Sequence, residues 1–188
     1  IVDRVAAAGA PTDAVAKAHL DLADAFAYAD ETVSAIRHSR RAIKLNPRKA
    51  EPHFSVAEVY RRNGRLRDAV LEYRIAIEFS PRNAFYHFRL GESRGHAGVA
   101  QEAIAELEVA TILAPADSFY HCSLAEYYLQ EGRIDAAIAE MQQATVFSPR
   151  DAYYNLRLGV LYLMSGLAED ATEAVGQAVC LEPRNALY

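Results

Sequence analysis

The chain of 188 residues is poor in the residue types that build several common classes of protein. Two cysteines are too few for a disulfide framework, and by themselves they cannot form a zinc site. No uncharged stretch approaches the roughly 18 residues that a membrane-spanning helix needs, so we expect no membrane span. Acidic residues also outnumber basic ones. The formal net charge of -5 argues against a nucleic-acid domain that works through bulk electrostatic attraction.

Proline is scarce too, yet its placement is regular. Five of the seven prolines follow one another at a constant interval, and they are Pro47, Pro81, Pro115, Pro149 and Pro183. The same interval separates four glycines from Gly64 to Gly166. It also separates the members of two alanine series, which start at Ala35 and Ala42, and it separates four histidines. The histidines are His19, His53, His87 and His121. A fixed period of roughly 20–50 residues is typical of a repeat protein.

Each period has the pattern of two helices joined by tight turns. In one period Asn83 is suited to cap the start of a first helix, because its side-chain oxygen can accept from a free backbone N–H. Gly98 interrupts the helical pattern, and apolar residues at helical spacing resume from Val99 to Leu113. Pro115 ends the second helix because proline lacks the backbone N–H and restricts the residue before it. The sequence therefore predicts an all-α array of helix-turn-helix units.

The spacing of leucine-glycine, tyrosine, alanine and proline within each period resembles the tetratricopeptide repeat (TPR) family. The last period carries the pattern most completely, in Leu158, Gly159, Tyr162, Gly166, Ala171, Ala178 and Pro183. Other periods depart from it, since Arg94 replaces an aromatic residue and Asp30 replaces the turn glycine. The family's tryptophan is absent throughout. The resemblance implies a right-handed α-solenoid of helix-turn-helix repeats, in which stacked neighbours bury each other's apolar faces.

The period also predicts the boundaries of the repeats. Five repeats cover residues 16–49, 50–83, 84–117, 118–151 and 152–185. Residues 1–15 are interpreted as the second helix of a degenerate preceding repeat, because Ile1, Val5 and Ala8 keep its spacing. Residues 186–188 resemble the start of a further repeat that is cut off. We therefore expect the chain to be a piece of a longer protein.

The family resemblance further implies that stacked first helices line a concave groove, which holds a peptide or a protein segment. Carried over by position, it places the candidate binding residues on these helices. They are Phe54, Glu58, Phe85, Phe88, Arg89, Glu92, Phe119, Glu126, Tyr153 and Arg157. We expect a non-catalytic protein-protein interaction scaffold. The alternative is a substrate-recruiting or regulatory arm of a larger multidomain enzyme, for example a glycosyltransferase or a protease.

Two sets of side chains among these positions suggest the chemistry of the partner. Four aromatic residues should be partly exposed if they face the groove, and they are Phe85, Phe88, Phe119 and Tyr153. Their alternative role is packing between repeats. Four acidic residues form a stripe that favours a partner with basic residues among apolar ones, and they are Asp24, Glu58, Glu92 and Glu126. The alternative for this stripe is a solvated helix face.

Other functions have little support in the residues. The TPR subclass that clamps a chaperone's C-terminal carboxylate needs several cationic or amide donors, and only Arg89 and Arg157 match. Equivalent histidines of adjacent repeats should lie on the order of 10 Å apart. Zinc needs its ligand nitrogens at about 2.0–2.1 Å, so we expect packing histidines. No metal, cofactor or catalytic site is predicted.

The end of the last helix and the cysteine content bear on the oligomeric state and on the compartment. An uncapped last helix would leave Ala174, Val175 and Ala178 without a neighbour, which suggests a homo-oligomer through this end of the chain. The low cysteine content is compatible with the cytoplasm and slightly favours it, but it does not require it.

Overall fold

The computed structural model describes residues 11–183, which form ten α-helices joined by short turns. No β-strand occurs in this range, so the predicted all-α class is confirmed. The interpretation of residues 1–15 as a preceding helix falls mainly outside the described residues, and that of residues 186–188 falls outside them entirely.

The helices divide into two compact units, which are described separately. In unit 1 (residues 11–99) the helices are α1 (Thr12–Tyr28), α2 (Thr32–Leu45), α3 (Ala50–Arg62), α4 (Leu66–Phe79) and α5 (Ala84–His96). In unit 2 (residues 100–183) they are α6 (Ala100–Leu113), α7 (Ser118–Gln130), α8 (Ile134–Phe147), α9 (Ala152–Met164) and α10 (Ala168–Leu181). The odd-numbered helices are the first helices of the predicted repeats, and the even-numbered ones are the second helices. From α2 onward, the starting positions of each kind of helix keep the constant interval of the prolines.

Small residues let neighbouring helices approach within each unit. Consecutive helices pack on one another, as α3 does on α4 and α9 does on α10. Both periodic alanine series are buried at these contacts, with Ala69 and Ala76 fully buried in unit 1. Larger residues fill the space beside them, and one core cluster of unit 1 contains Val56, Tyr60, Tyr73 and Leu90. The repeated alanines are therefore explained by close helix packing.

The turn between the two helices of each pair has a left-handed residue. Gly64 and Gly98 in unit 1 have φ values of 69° and 81°, and Gly132 and Gly166 in unit 2 have 72° and 76°. Glycine adopts this region without a steric penalty because it has no Cβ. Asp30 occupies the equivalent turn with φ 58°, and aspartate tolerates this conformation better than most residues. The periodic glycine thus reflects backbone geometry.

Side-chain caps begin three of the first helices. Asn83 accepts hydrogen bonds from the backbone N–H groups of Phe85 and Tyr86 at the start of α5. At the start of α7, Asp117 accepts from the backbone N–H of Phe119, and at the start of α9, Asp151 accepts from two backbone N–H groups. The predicted role of Asn83 as an N-cap is confirmed, and it places the aromatic residue two positions later at the beginning of the helix.

Two of the periodic histidines, His87 and His121, contact the proline turns that precede their helices. In unit 2, His121 Nδ1 lies 2.7 Å from Glu140 Oε2, and its Nε2 lies 2.9 Å from the carbonyl oxygen of Pro115. In unit 1, His87 Nε2 donates to the carbonyl oxygen of Pro81 at 3.1 Å. These histidines are buried. The predicted packing role is therefore confirmed, and no group of three metal-ligating side chains occurs in residues 11–183.

The last helix pair corrects one expectation. Ala174 and Ala178 of α10 are buried, so the expectation that they lack a neighbour is wrong. The reason is the close approach of α10 to α9 at Gly159, where a Cβ atom would lie only 2.6 Å from Val175 Cγ2. The argument for a homo-oligomer through these alanines therefore does not apply.

Candidate functional site

An aromatic cluster and a cavity of 430 Å³ occupy one face of the first helices in unit 1. Phe54 of α3 lies at the centre of the cluster, stacked on Tyr86 at 4.7 Å and tilted against Phe85 at 5.5 Å between ring centroids. Four of the predicted binding residues line the cavity together, and they are Phe54, Glu58, Phe85 and Arg89. Phe85 remains 39% exposed, so it offers an apolar surface at the edge of this cavity.

Glu58 connects the polar side chains of the unit 1 cavity. Its carboxylate accepts hydrogen bonds from Tyr73 Oη and from Arg61 Nη2, the latter at 2.9 Å. Arg89 Nε lies 3.4 Å from Glu58 Oε1, while Arg89 Nη1 donates to Glu92 Oε2 at 2.8 Å. The Arg89 guanidinium also lies over the Phe85 ring at 4.9 Å from the centroid. The network holds Arg89 against the aromatic surface rather than free in solvent.

The environment of Glu58 predicts that unit 1 is sensitive to acid. Burial raises the pKa of Glu58, but hydrogen bonds from Arg61 and Tyr73 and the charge of Arg89 outweigh it, so the pKa lies below its ordinary 4.5. Such a carboxyl stabilises the fold above its unfolded pKa, and the stabilisation is lost as the pH falls through the folded pKa. In urea titrations at several pH values, we expect the free energy of unfolding to fall from about pH 5 to about pH 3. The fall should be shallower in Glu58→Gln.

Asp24 of the same unit is a control, because its effect on the pH dependence of stability should be opposite to that of Glu58. Burial raises the pKa of Asp24, and a hydrogen bond from Ser55 only partly offsets this effect. Protonation of Asp24 therefore favours the folded state as the pH falls, and Asp24→Asn should make the loss of stability in acid steeper. An identical pH dependence of wild type and Glu58→Gln would contradict the role assigned to Glu58.

Unit 2 presents a similar face on α7 and α9. Phe119 and Tyr153 are 52% and 48% exposed, at the positions that correspond to Phe85 in unit 1. Tyr153 Oη donates to Glu126 Oε1 at 3.0 Å, and Arg157 Nη2 lies 3.5 Å from the same oxygen. Burial, and then this hydrogen bond, raise the pKa of Tyr153 to about 12. Tyr153 is therefore a neutral hydrogen-bond donor at ordinary pH.

The candidate residues of unit 2 do not all line one cavity. A cavity of 570 Å³ is bordered by Phe119 and Tyr154, whereas Glu126, Tyr153 and Arg157 do not line it. Cys122, between Phe119 and Glu126 along α7, is buried, and burial raises the pKa of its thiol to about 12. The thiol is therefore protonated at neutral pH and is a weak nucleophile.

Phe88 differs from the other aromatic candidates. It is only 2% exposed, which corresponds to the alternative role of packing and not to the exposure expected of a groove residue. Its ring stacks against Phe85 at 6.3 Å, and the Arg89 guanidinium lies 5.8 Å from its centroid. Phe88 is therefore buried, whereas Phe85 remains an exposed aromatic surface on α5.

The acidic stripe is largely paired with the neighbouring first helix. Glu58 contacts Arg89 in unit 1, and Glu126 contacts Arg157 in unit 2, both at the same separation along the chain. Ser55 donates to Asp24 Oδ1 at 3.5 Å across an equal separation. The glutamates of the stripe are thus partly neutralised by internal cations. The recurrence of one separation between opposite charges was the signal in the sequence that could have revealed these pairs.

Sequence reasoning missed two residues at the unit 1 cavity. Tyr28 at the end of α1 is 81% exposed and lines the cavity with Arg62, whose guanidinium lies 5.2 Å from the Tyr28 ring centroid. Neither residue falls on the stripes assigned from the repeat. They occupy the same position of successive periods, and this shared position was the signal in the sequence that could have marked them.

Comparisons with known proteins agree with the helical repeats. A profile of the tetratricopeptide repeat family matches residues 20–84, 57–118 and 122–186. A crystal structure of the MamA protein is similar, with 21% identity, a TM-score of 0.79, and coverage of 92% of this chain and 94% of that chain. Pseudomonas aeruginosa pilF has 21% identity, a TM-score of 0.77, and coverage of 94% of this chain and 80% of that chain.

A third similar structure is YrrB, described as a TPR protein with an unusual peptide-binding site. It has 20% identity, a TM-score of 0.73, and coverage of 90% of this chain and 87% of that chain. No curated protein sequence matches the chain. Within residues 11–183, no helix combines the length and the apolar character needed to cross a bilayer.

The family profile and the solved structures account for the periodic features described above. They confirm the predicted resemblance and the all-α, solenoid type of fold. The matched segments together cover most of the sequence, including both units. The chain belongs to the tetratricopeptide repeat family.

Proposed function

We propose that the protein is a non-catalytic interaction module that binds a segment of a protein partner through exposed aromatic residues of its first helices. The observation that carries this proposal is the repeated exposure of Phe85, Phe119 and Tyr153 at one position of α5, α7 and α9. Exposed apolar side chains at equivalent positions are a feature of interaction sites. Membership of a repeat family, rather than of an enzyme family, supports the same function.

The unit 1 cavity suggests which partner chemistry fits. Phe54 and Phe85 offer apolar surface, which favours an aliphatic or aromatic anchor in the partner. Asp24 and Glu51 also line the cavity, and neither forms an ion pair with a residue of 11–183, unlike Glu58. A basic side chain next to the anchor would complement these two carboxylates. We therefore propose a partner segment with apolar residues and at least one basic residue.

The proposal can be tested with peptides selected from a displayed library against the whole chain. Phe85→Ala, Phe119→Ala and Tyr153→Ala should weaken binding of the selected peptides, by roughly tenfold or more at the strongest anchor, since aromatic anchors carry a large share of binding energy. Isothermal titration calorimetry measures this change. Circular dichroism of each variant verifies that the helices are retained.

Two exposed phenylalanines on second helices provide matched controls. Phe79 of α4 and Phe147 of α8 are 39% and 44% exposed, close to the exposure of Phe85. Phe79→Ala and Phe147→Ala should leave the affinity within about twofold if the partner lies on the first helices. Loss of affinity in these controls, with no loss in the three first-helix variants, would reject the assigned face.

A further inference from the structure

A second surface of unit 1 is strongly basic. Four cations occupy one face of α2 at spacings of i, i+3, i+4 and i+7, and all of them are exposed. They are Arg37, Arg40, Arg41 and Lys44, which we call the α2 basic face. Helix α2 contains no acidic residue, although the whole chain has a net charge of -5. Positive charge is therefore concentrated here against the overall balance.

The α2 basic face borders an open groove of 610 Å³ with apolar walls. Val33 and Ile36 of α2 line this groove, and Val33 is 73% exposed. Arg65, just before α4, also lines it, but its charge is balanced by Asp68 at 2.7 Å. The groove thus combines an apolar strip with cations. A helix whose charged residues only contact solvent does not need an apolar strip beside them.

Two features leave cationic groups available for a partner. Tyr60 fixes Arg40, whose Nη2 donates to Tyr60 Oη at 3.1 Å, and it stacks under Arg65 at 4.5 Å. Arg37 and Lys44 form no hydrogen bond or ion pair with any other residue in the range 11–183. The rim of the groove therefore has one oriented guanidinium and two cations whose charge is not compensated within the described chain.

Unit 2 shows that the repeat does not need these cations. At the position of Arg40, Glu108 accepts from Tyr128 Oη at 2.6 Å, and Gln142 donates to Tyr162 Oη at 2.8 Å. Glu108, Gln142 and Arg40 thus each form a hydrogen bond with a tyrosine hydroxyl group, although one is acidic, one is neutral and one is basic. Two repeats further along the chain, the positions of Arg37, Arg41 and Lys44 are occupied by Ala105, Val109 and Ile112. Stability of the fold therefore does not explain the α2 basic face.

We infer that the α2 basic face and its groove bind an acidic segment of a protein partner. Its carboxylates would pair with Arg37, Arg41 and Lys44, and an apolar side chain would lie against Val33. Guanidinium groups match carboxylates in geometry and charge. A lipid surface is less suitable because Val33 is the only large apolar residue of α2 with strong exposure.

Duplex nucleic acid also fits this surface less well than an acidic peptide. The cations lie on one short helix, whereas binding to a phosphate backbone uses many positive charges along an extended surface. Charge complementarity therefore selects carboxylates presented by a short acidic segment with apolar residues.

The test uses a fluorescein-labelled peptide of about four Leu-Glu-Glu repeats, with a Leu-Gln-Gln peptide as its neutral twin. Fluorescence anisotropy measures binding to the whole chain at about 50 and about 150 mM salt, because ion pairs weaken as salt rises. The triple variant Arg37→Ala, Arg41→Ala, Lys44→Ala should bind the acidic peptide at least about tenfold more weakly. The affinity of the wild-type protein for the neutral twin should be no higher than the affinity of this variant for the acidic peptide.

A charge-matched control separates a specific site from the general loss of positive charge. The variant Arg74→Ala, Arg82→Ala, Arg150→Ala removes three exposed cations that do not line the groove, and its affinity should equal that of wild type. Thermal melts verify that the triple variant folds.

Several results would overturn the inference. Equal affinity of wild type and the groove variant for the acidic peptide would reject the site. Tighter binding of a DNA duplex or of phosphatidylserine vesicles, lost in the same variant, would assign the face to another class of partner. Salt-sensitive self-association in sedimentation velocity, abolished by the variant, would identify the occupant as a second copy of this chain.

Discussion

Replacing His121 with alanine is expected to lower the free energy of unfolding by about 2–4 kcal/mol. The imidazole is buried, lies within hydrogen-bond distance of Glu140 and of the carbonyl oxygen of Pro115, and stacks on Phe147 at 5.9 Å between centroids. Alanine removes these polar contacts and opens a cavity between the proline turn and α8. Urea denaturation followed by circular dichroism measures the change.

Two further substitutions make this prediction specific. His121→Asn should lose less stability, because Asn155 at the same place in the next repeat donates to the carbonyl oxygen of Pro149 at 3.3 Å. His96→Ala, at an exposed position of α5, should change the stability by no more than about 0.5 kcal/mol. If His121→Ala were as mild as His96→Ala, the hydrogen bonds to the turn would not stabilise the repeat.

Gly159→Ala is expected to destabilise unit 2 by about 1–3 kcal/mol. A Cβ atom there would lie 2.6 Å from Val175 Cγ2 and 3.3 Å from the carbonyl oxygen of Ala171. The valine methyl can move, but the backbone oxygen moves only if α9 and α10 separate. Separation would expose Ala178, which is fully buried beside this contact. Thermal and urea denaturation should both report the loss.

Gly176 of α10 is the matched control for Gly159. No atom lies within 4 Å of a Cβ built at Gly176, so alanine meets open space there. Alanine is the better helix former, and Gly176→Ala should therefore stabilise the protein by about 0.5–1 kcal/mol. The same substitution on two packed helices should thus have opposite signs. A stabilising Gly159→Ala would show that the helices separate at little cost.

A second control isolates the side-chain part of the clash at Gly159. In a Val175→Ala background, the Cγ2 atom that meets the new Cβ is absent, while the contact with the Ala171 oxygen remains. The destabilisation by Gly159→Ala should therefore be smaller in this background, and the difference measures the Val175 term as a coupling energy. An unchanged effect would assign the whole cost to the backbone contact.

The histidine series shows how far reasoning from the sequence extended. The period and the distances it implies excluded a shared metal and predicted packing, and His87 and His121 are buried as expected. The partners of His121 were not predicted, since Glu140 lies 19 residues later on another helix. Periodicity identifies which residues are equivalent, but it does not identify the side chain that meets each of them.

For the charged candidates, too, the sequence identified the residues but not the side chains that they contact. Glu58, Glu126, Arg89 and Arg157 were placed on neighbouring stripes, and the acidic stripe was expected to attract basic ligands. In the fold, each glutamate lies within 3.5 Å of the arginine on the next first helix of its unit. The residues were identified from the sequence, whereas their charge balance depends on distances across a helix contact. The role of these residues in binding stays a proposal.

The sequence by itself determined the helices, their period, their turns and their caps, because these depend on local backbone preferences. Only the tertiary structure decided which side chains of a given helix face are accessible. Phe85 and Phe88 lie one helical turn apart on α5, yet the first is 39% exposed and the second is 2% exposed. The helical period sets the direction of a side chain about its own axis. Its burial depends on the side chains that meet it from other helices, and the period does not specify these contacts.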